Sequence, residues 1–378
     1  MLPPGAPIAA FMAAIFMATG VSTAFLPLWL TEAGLSPRDI GEVLGLATFA
    51  RLFAMPAWGW LADRTGRRRL VMAVSGVLAT AASLAYLPAV GYVPLLLVAL
   101  AHGATASALM PLADGLSIAL MREGRLDYGR VRAVGSAAFM ATTAVAGWLV
   151  AAFGARIVPI ALALGFGAAT ALTAIMPEAA GIRGATRTDG GLRLLTHRPF
   201  LLIVAASALV QGSHAAIYSL GTLHWRAHGI GDGMIGLLWS EGVLAEVLLF
   251  VWGRRIGTAL GPAWLIGLAG GAGLLRWTVT ALTADLPALL LVQVLHAATY
   301  GMTHLASMLT LARVVPPERS GTAQALHATF GSAVPTGVMM WAAGWLYDGS
   351  GLVFLMMAAM AGAGMLLAPA LARSLKTA

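Results

Sequence analysis

Twelve apolar stretches, most of them long enough to cross a bilayer and separated by short polar links, constrain this chain more than anything else in it. They run over residues 6–30, 40–62, 70–87, 93–121, 131–153 and 157–176. After a polar interval they resume over 200–225, 234–252, 264–282, 286–312, 322–347 and 352–371. Crossing hydrocarbon takes about 20 mostly apolar residues, and a backbone dissolved there must satisfy its own hydrogen bonds, as a helix or a closed barrel. The alternating pattern of a barrel is absent. The expectation is an all-α membrane protein with twelve transmembrane helices.

Charge placement supports that reading and orients it. Only 10% of the 378 residues are charged, against 59% hydrophobic, whereas soluble domains run near about 25% charged. The net charge of +8 could point to nucleic acid, but the cations sit on alternate links. One set comprises Arg64 and Arg67 to Arg69; Arg122, Arg125, Arg130 and Arg132; Arg183, Arg187, Arg193 and Arg198; Arg254 and Arg255; Arg313 and Arg319; and Arg373 with Lys376. The opposite side carries only Arg38, Arg156 and Arg226. This is the positive-inside asymmetry. It places both termini in the cytoplasm of a bacterial inner membrane, with the bilayer rather than nucleic acid as the macromolecular partner.

Other absences narrow the function. With no cysteine, disulfides, thiolate metal sites and cysteine nucleophiles are excluded. The first ten residues lack Lys and Arg, so the basic start of a cleavable signal is missing and the first helix is expected to be retained. Lys376 is the only lysine, which removes a Walker A lysine and ATP as an energy source within this chain. Neither H-E-x-x-H nor G-x-S-x-G occurs, and the G-x-G-x-x-G at Gly231, Gly233 and Gly236 follows no strand. No enzyme, cofactor or metal is expected.

The chain repeats itself. Ile40-Gly41 recurs as Ile235-Gly236, His102 and His296 both follow a Leu-Leu-Leu-Val run, and Ala146-Gly147-Trp148-Leu149 recurs as Ala343-Gly344-Trp345-Leu346. Two parallel repeats imply a pseudo-twofold axis along the membrane normal and a central cavity. The expected organisation is a six-helix bundle over 1–177, a cytoplasmic link over 178–198 and a second six-helix bundle over 199–378.

Between the second and third stretches stands Gly59-Trp60-Leu61-Ala62-Asp63-Arg64-Thr65-Gly66-Arg67-Arg68-Arg69. It resembles the major facilitator signature G-x-x-x-D-R-x-G-R-R/K-R/K at every fixed position. The resemblance implies the major facilitator fold, two pseudo-symmetric six-helix bundles moving by alternating access. It makes Gly59, Asp63, Arg64, Gly66 and Arg67, together with Arg132, the candidate conformational gate, with Asp63 free to pair across the bundle. Three further stretches resemble the phenylpropionic acid permease-like branch, related to the lactose permease group. They are Leu126-Asp127-Tyr128-Gly129-Arg130-Val131-Arg132, Val210-Gln211-Gly212-Ser213-His214-Ala215-Ala216, and the run from Leu238 to Val247 continued by Leu275-Arg276-Trp277 and Val292-Gln293-Val294-Leu295-His296. Two departures matter. The fifth stretch has no proline over 137–153, unlike many drug exporters, which favours import by symport. Thr299 and Gln293 occupy positions where the lactose permease branch carries a carboxylate and a lysine, which weighs against its sugar relay.

Ionisable side chains in mid-span cost roughly 2.5–3.5 kcal/mol on insertion scales and usually face a cavity. Here they are Arg51, Asp114, Glu241, Glu246 and Arg276. Arg51 and Glu246 are equivalent in the repeat and could meet across the cavity. Glu246 is the candidate proton carrier, with Arg51 and His296 as its coupling partners. The alternative is a fixed ion pair between Glu246 and an arginine. Arg276 is the candidate anchor for an anionic substrate, and Gln211, His214, Trp239, Gln293 and Asp114 complete the candidate binding set. The expected activity is proton-driven symport of a small organic carboxylate such as 3-phenylpropionate by a monomer, powered by the proton gradient. A sugar or nucleoside transporter, or a receptor that kept the fold, is the alternative.

Overall fold

A computed structural model describes residues 5–177, 194, 196–316 and 319–376, with the side chains of Arg122 and Arg254 outside that description. Most of the 178–198 link, with Arg183, Arg187 and Arg193, lies outside the described residues. The helices are α1 Gly5–Glu32, α2 Pro37–Thr65, α3 Arg68–Ala85, α4 Tyr92–Met121, α5 Tyr128–Phe153, α6 Ile157–Ile175, α7 Arg198–Ala227, α8 Asp232–Val251, α9 Arg255–Leu282, α10 Leu286–Val314 and α12 Leu352–Lys376. These eleven are long and apolar enough to span a membrane. Between α10 and α12, the segment α11, residues 320–346, completes twelve. It is interrupted by a π turn at Thr329–Ala333, between helices Ser320–Ala328 and Val334–Leu346. No strand occurs among the described residues. Large apolar side chains such as Phe53, Leu97, Phe153, Leu164, Leu291 and Leu366 are exposed, as expected where lipid is the solvent.

Local sequence sets the helix ends. Ser36 and Asp39 form a reciprocal capping box at the start of α2, with Pro37 in its first turn. The same helix stops at Gly66, whose φ of 64° is left-handed and whose N–H reaches Ala62 O at 3.0 Å. Asp127 and Asp285 cap α5 and α10. Helix α4 breaks between Ala106 and Leu109, just before Pro111. In hydrocarbon the freed carbonyls need donors, and Trp58 Nε1 takes Ala104 O at 3.0 Å while Ser75 Oγ takes Thr105 O at 2.6 Å.

The chain forms two compact units, residues 1–184 with 229–240, and residues 185–228 with 241–378. In the first, α1 packs on α5 and α6, α2 on α4, and α3 on α4 and α6. The first half of α8 belongs to it. Ser240 Oγ donates to Met140 O at 2.6 Å, and Gly147 and Gly236 let α5 and α8 meet backbone to backbone. In the second unit, α9 packs on α10 and α12, and α7 on α10, α11 and α12. Its apolar core includes Phe200, Ile203, Val210, Leu265, Ile266 and Leu371.

A Cβ at Gly147 would run into the Asp232 carbonyl. Gly147→Val is therefore expected to destabilise the protein by about 1–3 kcal/mol through overpacking, read as a lower melting temperature in detergent. Gly59→Ala, where an added Cβ meets nothing within 4 Å, is expected to melt close to the parent.

Candidate functional site

Two helices of the second unit place histidines at the point where regular α geometry gives way. His214 on α7 precedes the π turn Ile217–Gly221, and His296 on α10 stands immediately before the π turn Ala297–Met302. Such turns re-aim side chains and recur at functional sites. Between the histidines lies Arg276 of α9, only 3% exposed. Its Nη1 donates to His296 Nδ1 at 3.2 Å and to Thr299 Oγ1 at 3.1 Å, and its Nη2 donates to Gln293 Oε1. Its guanidinium carbon also lies 4.4 Å from the Trp277 ring centroid, a cation–π arrangement.

Chemistry fixes the histidine tautomers. A guanidinium has no acceptor, so His296 Nδ1 must accept from it. The ring proton then sits on Nε2, which points at Glu246 Oε2 across 3.4 Å. At His214, Nδ1 lies 3.0 Å from Val210 O and 3.3 Å from Gln211 O. Carbonyls only accept, so Nδ1 carries the proton and Nε2 accepts from the Thr299 hydroxyl at 2.9 Å. A directed chain results, in which Arg276 donates through His296 towards Glu246 on one side and through Thr299 towards His214 on the other. Tyr300 stacks on His296 and Tyr218 on His214, with centroids 5.4 and 5.7 Å apart. Trp277 Nε1 is held by Ser213 Oγ at 2.9 Å. Gly242 lets α8 close on α10, since a Cβ there would sit 3.1 Å from His296 Cβ; one turn later Glu246 reaches the imidazole.

All direct acceptors of Arg276 among the described residues are neutral, and its Nε has none. No direct bond between Arg276 and Glu246 occurs among the described residues; His296 contacts both. Gln211 contributes its backbone carbonyl to this cluster. Glu241 has a buried Oε2 with no hydrogen-bond partner among the described residues.

The remaining candidates fall in the first unit. Trp239 lies in the part of α8 that belongs there. Arg51 is exposed on α2, its stem beside Gly103, so Arg51 and Glu246 belong to different units. Asp114 and Arg132, assigned separate roles from the sequence, form an ion pair at 3.8 Å, and Tyr128 donates to Asp114 at 3.1 Å. Arg132 also lies 4.7 Å from the Phe16 ring centroid. In the signature loop Asp63 bonds Arg68 at 2.7 Å, a partner within its own loop. Arg64 lies over Trp60, and the Arg67 N–H donates to Thr65 Oγ1. Arg69 ties α3 to α6 through Thr173 O and Ala174 O at 3.0 and 2.5 Å.

The MFS_1 like family model matches residues 8–358. The chain belongs to this family, a branch of the major facilitator superfamily. A relative from Escherichia coli (strain K12), "Probable 3-phenylpropionic acid transporter", is 31% identical over 364 residues, 94% of each chain. The maltose permease of Geobacillus stearothermophilus is 29% identical over 331 residues, 86% of this chain and 82% of that one. Among solved structures, the nucleoside transporter NupG superposes with a TM-score of 0.81 at 15% identity, covering 99% of both chains. An inward-facing, unoccupied bacterial homologue of the lysosomal transporter Spinster gives 0.72 at 14%, covering 99% of this chain and 97% of that one. At such identities the likeness is one of fold. As a major facilitator protein the chain is a membrane transporter of small molecules and not an enzyme.

Within this family frame, sequence reasoning marked Arg276, His296, Gln293, His214 and Glu246 but passed over Thr299 and Ser213. Thr299 entered only as a departure from a related branch, although its spacing of three from His296 already put both on one helical face. Thr299→Val leaves a buried arginine N–H and the His214 Nε2 unpaired. The expected loss is about 1–3 kcal/mol, with Thr299→Ser restoring most of it, read as melting temperatures of the purified variants.

Proposed function

We propose that this chain is a proton-coupled symporter of small organic carboxylates, with aromatic acids of the 3-phenylpropionate kind as the first candidates. The observation that carries the reading is the buried Arg276, whose acceptors among the described residues are all neutral and whose Nε–H has no partner there. A buried charge without a directly bonded counter-ion is costly, and a substrate carboxylate supplies one through two parallel N–H bonds. Neutral sugars and nucleosides leave the guanidinium uncompensated. The rings of Trp277, Tyr218 and Tyr300 around the histidines suit an aromatic body attached to that carboxylate. The name of the Escherichia coli relative supplies the particular acid.

Proton coupling follows from charge balance. In the substrate-free arrangement Glu246 shares the field of Arg276 through His296. When an incoming carboxylate claims the guanidinium, Glu246 loses that compensation, and a proton on its carboxyl group restores neutrality. Anion and proton then cross together by alternating access, with Asp63, Arg64, Gly66, Arg67 and Arg132 in the moving gate. The proposed setting is a monomer in the bacterial inner membrane with both termini cytoplasmic, an orientation that the arginine asymmetry supports.

Uptake of labelled 3-phenylpropionate into proteoliposomes under an imposed inward proton gradient tests the reading. Arg276→Gln is expected to lower uptake by about ten- to a hundredfold, the worth of a lost charge-assisted pair. Glu246→Gln is expected to keep counterflow exchange while losing gradient-driven accumulation. Parental uptake in Arg276→Gln, or accumulation in Glu246→Gln that still follows the gradient, overturns it.

A further inference from the structure

The second unit carries a groove far along α10 from the histidines. Helix α9 is broken near its start at Gly261, whose φ of 72° and ψ of 167° lie outside helical geometry, and it resumes at Pro262. The short piece before the break leans on the last turns of α10, where Gly257 faces Leu305 and Leu309 closely. Beside it runs a cavity of about 300 Å³ lined by Gly257, Thr258, Pro262, Leu305, Leu309 and Arg313. A second hollow, of about 180 Å³, adjoins it on the other side of Arg313, bounded by Leu260, Ala263, Leu375 and Lys376.

The walls are apolar and the rim is cationic. Arg313 donates one bond, from Nη2 to Leu375 O at 2.7 Å, which ties the end of α10 to the end of α12. Neither Arg313 nor Lys376 has a carboxylate partner among the described residues. Both are exposed, and both stand at the ends of spanning helices, on the side where the chain concentrates its arginines.

We infer that this groove is a binding site for one anionic phospholipid, its phosphate held between Arg313 and Lys376 and the start of an acyl chain laid against Leu305, Leu309 and Pro262. The charge complementarity selects the occupant. Two cations without a carboxylate partner among the described residues attract an anionic headgroup, each worth a measurable gain near a membrane surface, and a leucine-lined hollow at their feet accepts hydrocarbon, which a free phosphate cannot fill. A zwitterionic lipid offers the same tail but carries a cation that the rim repels. Because the lipid bridges the broken start of α9 to the ends of α10 and α12, its binding stabilises the second unit.

Native mass spectrometry and melting curves of the full-length protein test this in three settings: nanodiscs of phosphatidylcholine alone, the same doped with phosphatidylglycerol, and the first with added inorganic phosphate. The parent is expected to retain one phosphatidylglycerol and melt at a higher temperature only in the doped discs. Arg313→Gln/Lys376→Gln is expected to hold that lipid about thirtyfold more weakly. Lys376→Gln alone, which leaves the Leu375 bond intact, is expected to weaken it by several-fold. Equal retention of phosphatidylcholine by the parent, a shift reproduced by phosphate, or undiminished phosphatidylglycerol binding in Lys376→Gln overturns the inference. The three settings applied to the parent decide the matter even if the double variant fails to fold.

Discussion

A guanidinium enclosed by neutral acceptors is the constraint around which the second unit is arranged. Arg276 cannot give up its charge under any ordinary condition, so the protein must either neutralise it or leave it for something else to neutralise. Gln293, His296 and Thr299 satisfy three of its bonds without adding negative charge. The carboxylate of Glu246 stands one imidazole away. Desolvating such a group is expensive, and on the proposed function a cargo anion offsets the cost by completing the site.

The first unit solves a similar problem differently. Arg132 has its own carboxylate, Asp114, steadied by the Tyr128 hydroxyl, and its guanidinium also lies over Phe16. Asp63 and Arg68 likewise neutralise each other inside one loop. These pairs are complete within the unit and require nothing from outside. On the proposed function, the contrast between the Asp114–Arg132 pair and Arg276, whose direct acceptors among the described residues are all neutral, supports placing the substrate's charge in the second unit.

The helices were legible because lipid leaves the backbone few options. Length and apolarity alone placed the spans, arginine placement gave their expected orientation, and the Gly59–Arg69 loop pointed to the family. The eleventh span is the instructive case. Its residues read as one continuous apolar stretch, yet a π turn at Thr329–Ala333 divides it, and nothing in a hydropathy pattern distinguishes a fourth residue per turn from a fifth. The site was half legible. Arg276, Glu246 and the histidines announced themselves as polar groups in hydrocarbon. Thr299 did not, because threonine normally bonds its own helix, whereas here its hydroxyl, within the π turn Ala297–Met302, links across to His214. Which carboxylate each arginine meets was likewise beyond sequence, since the Asp114–Arg132 pair joins residues from two helices whose rotation no spacing rule fixes.

The central claim, that cargo supplies the counter-charge to Arg276, is tested most directly by comparing two ligands of nearly equal shape. Isothermal titration of the purified protein with 3-phenylpropionate and with its neutral amide isolates the charge from the ring. The account predicts that the acid binds about a hundredfold more tightly, the order expected for a charge-assisted pair in a dry site, and that Arg276→Gln erases the difference. Equal affinity for acid and amide in the parent protein would contradict it.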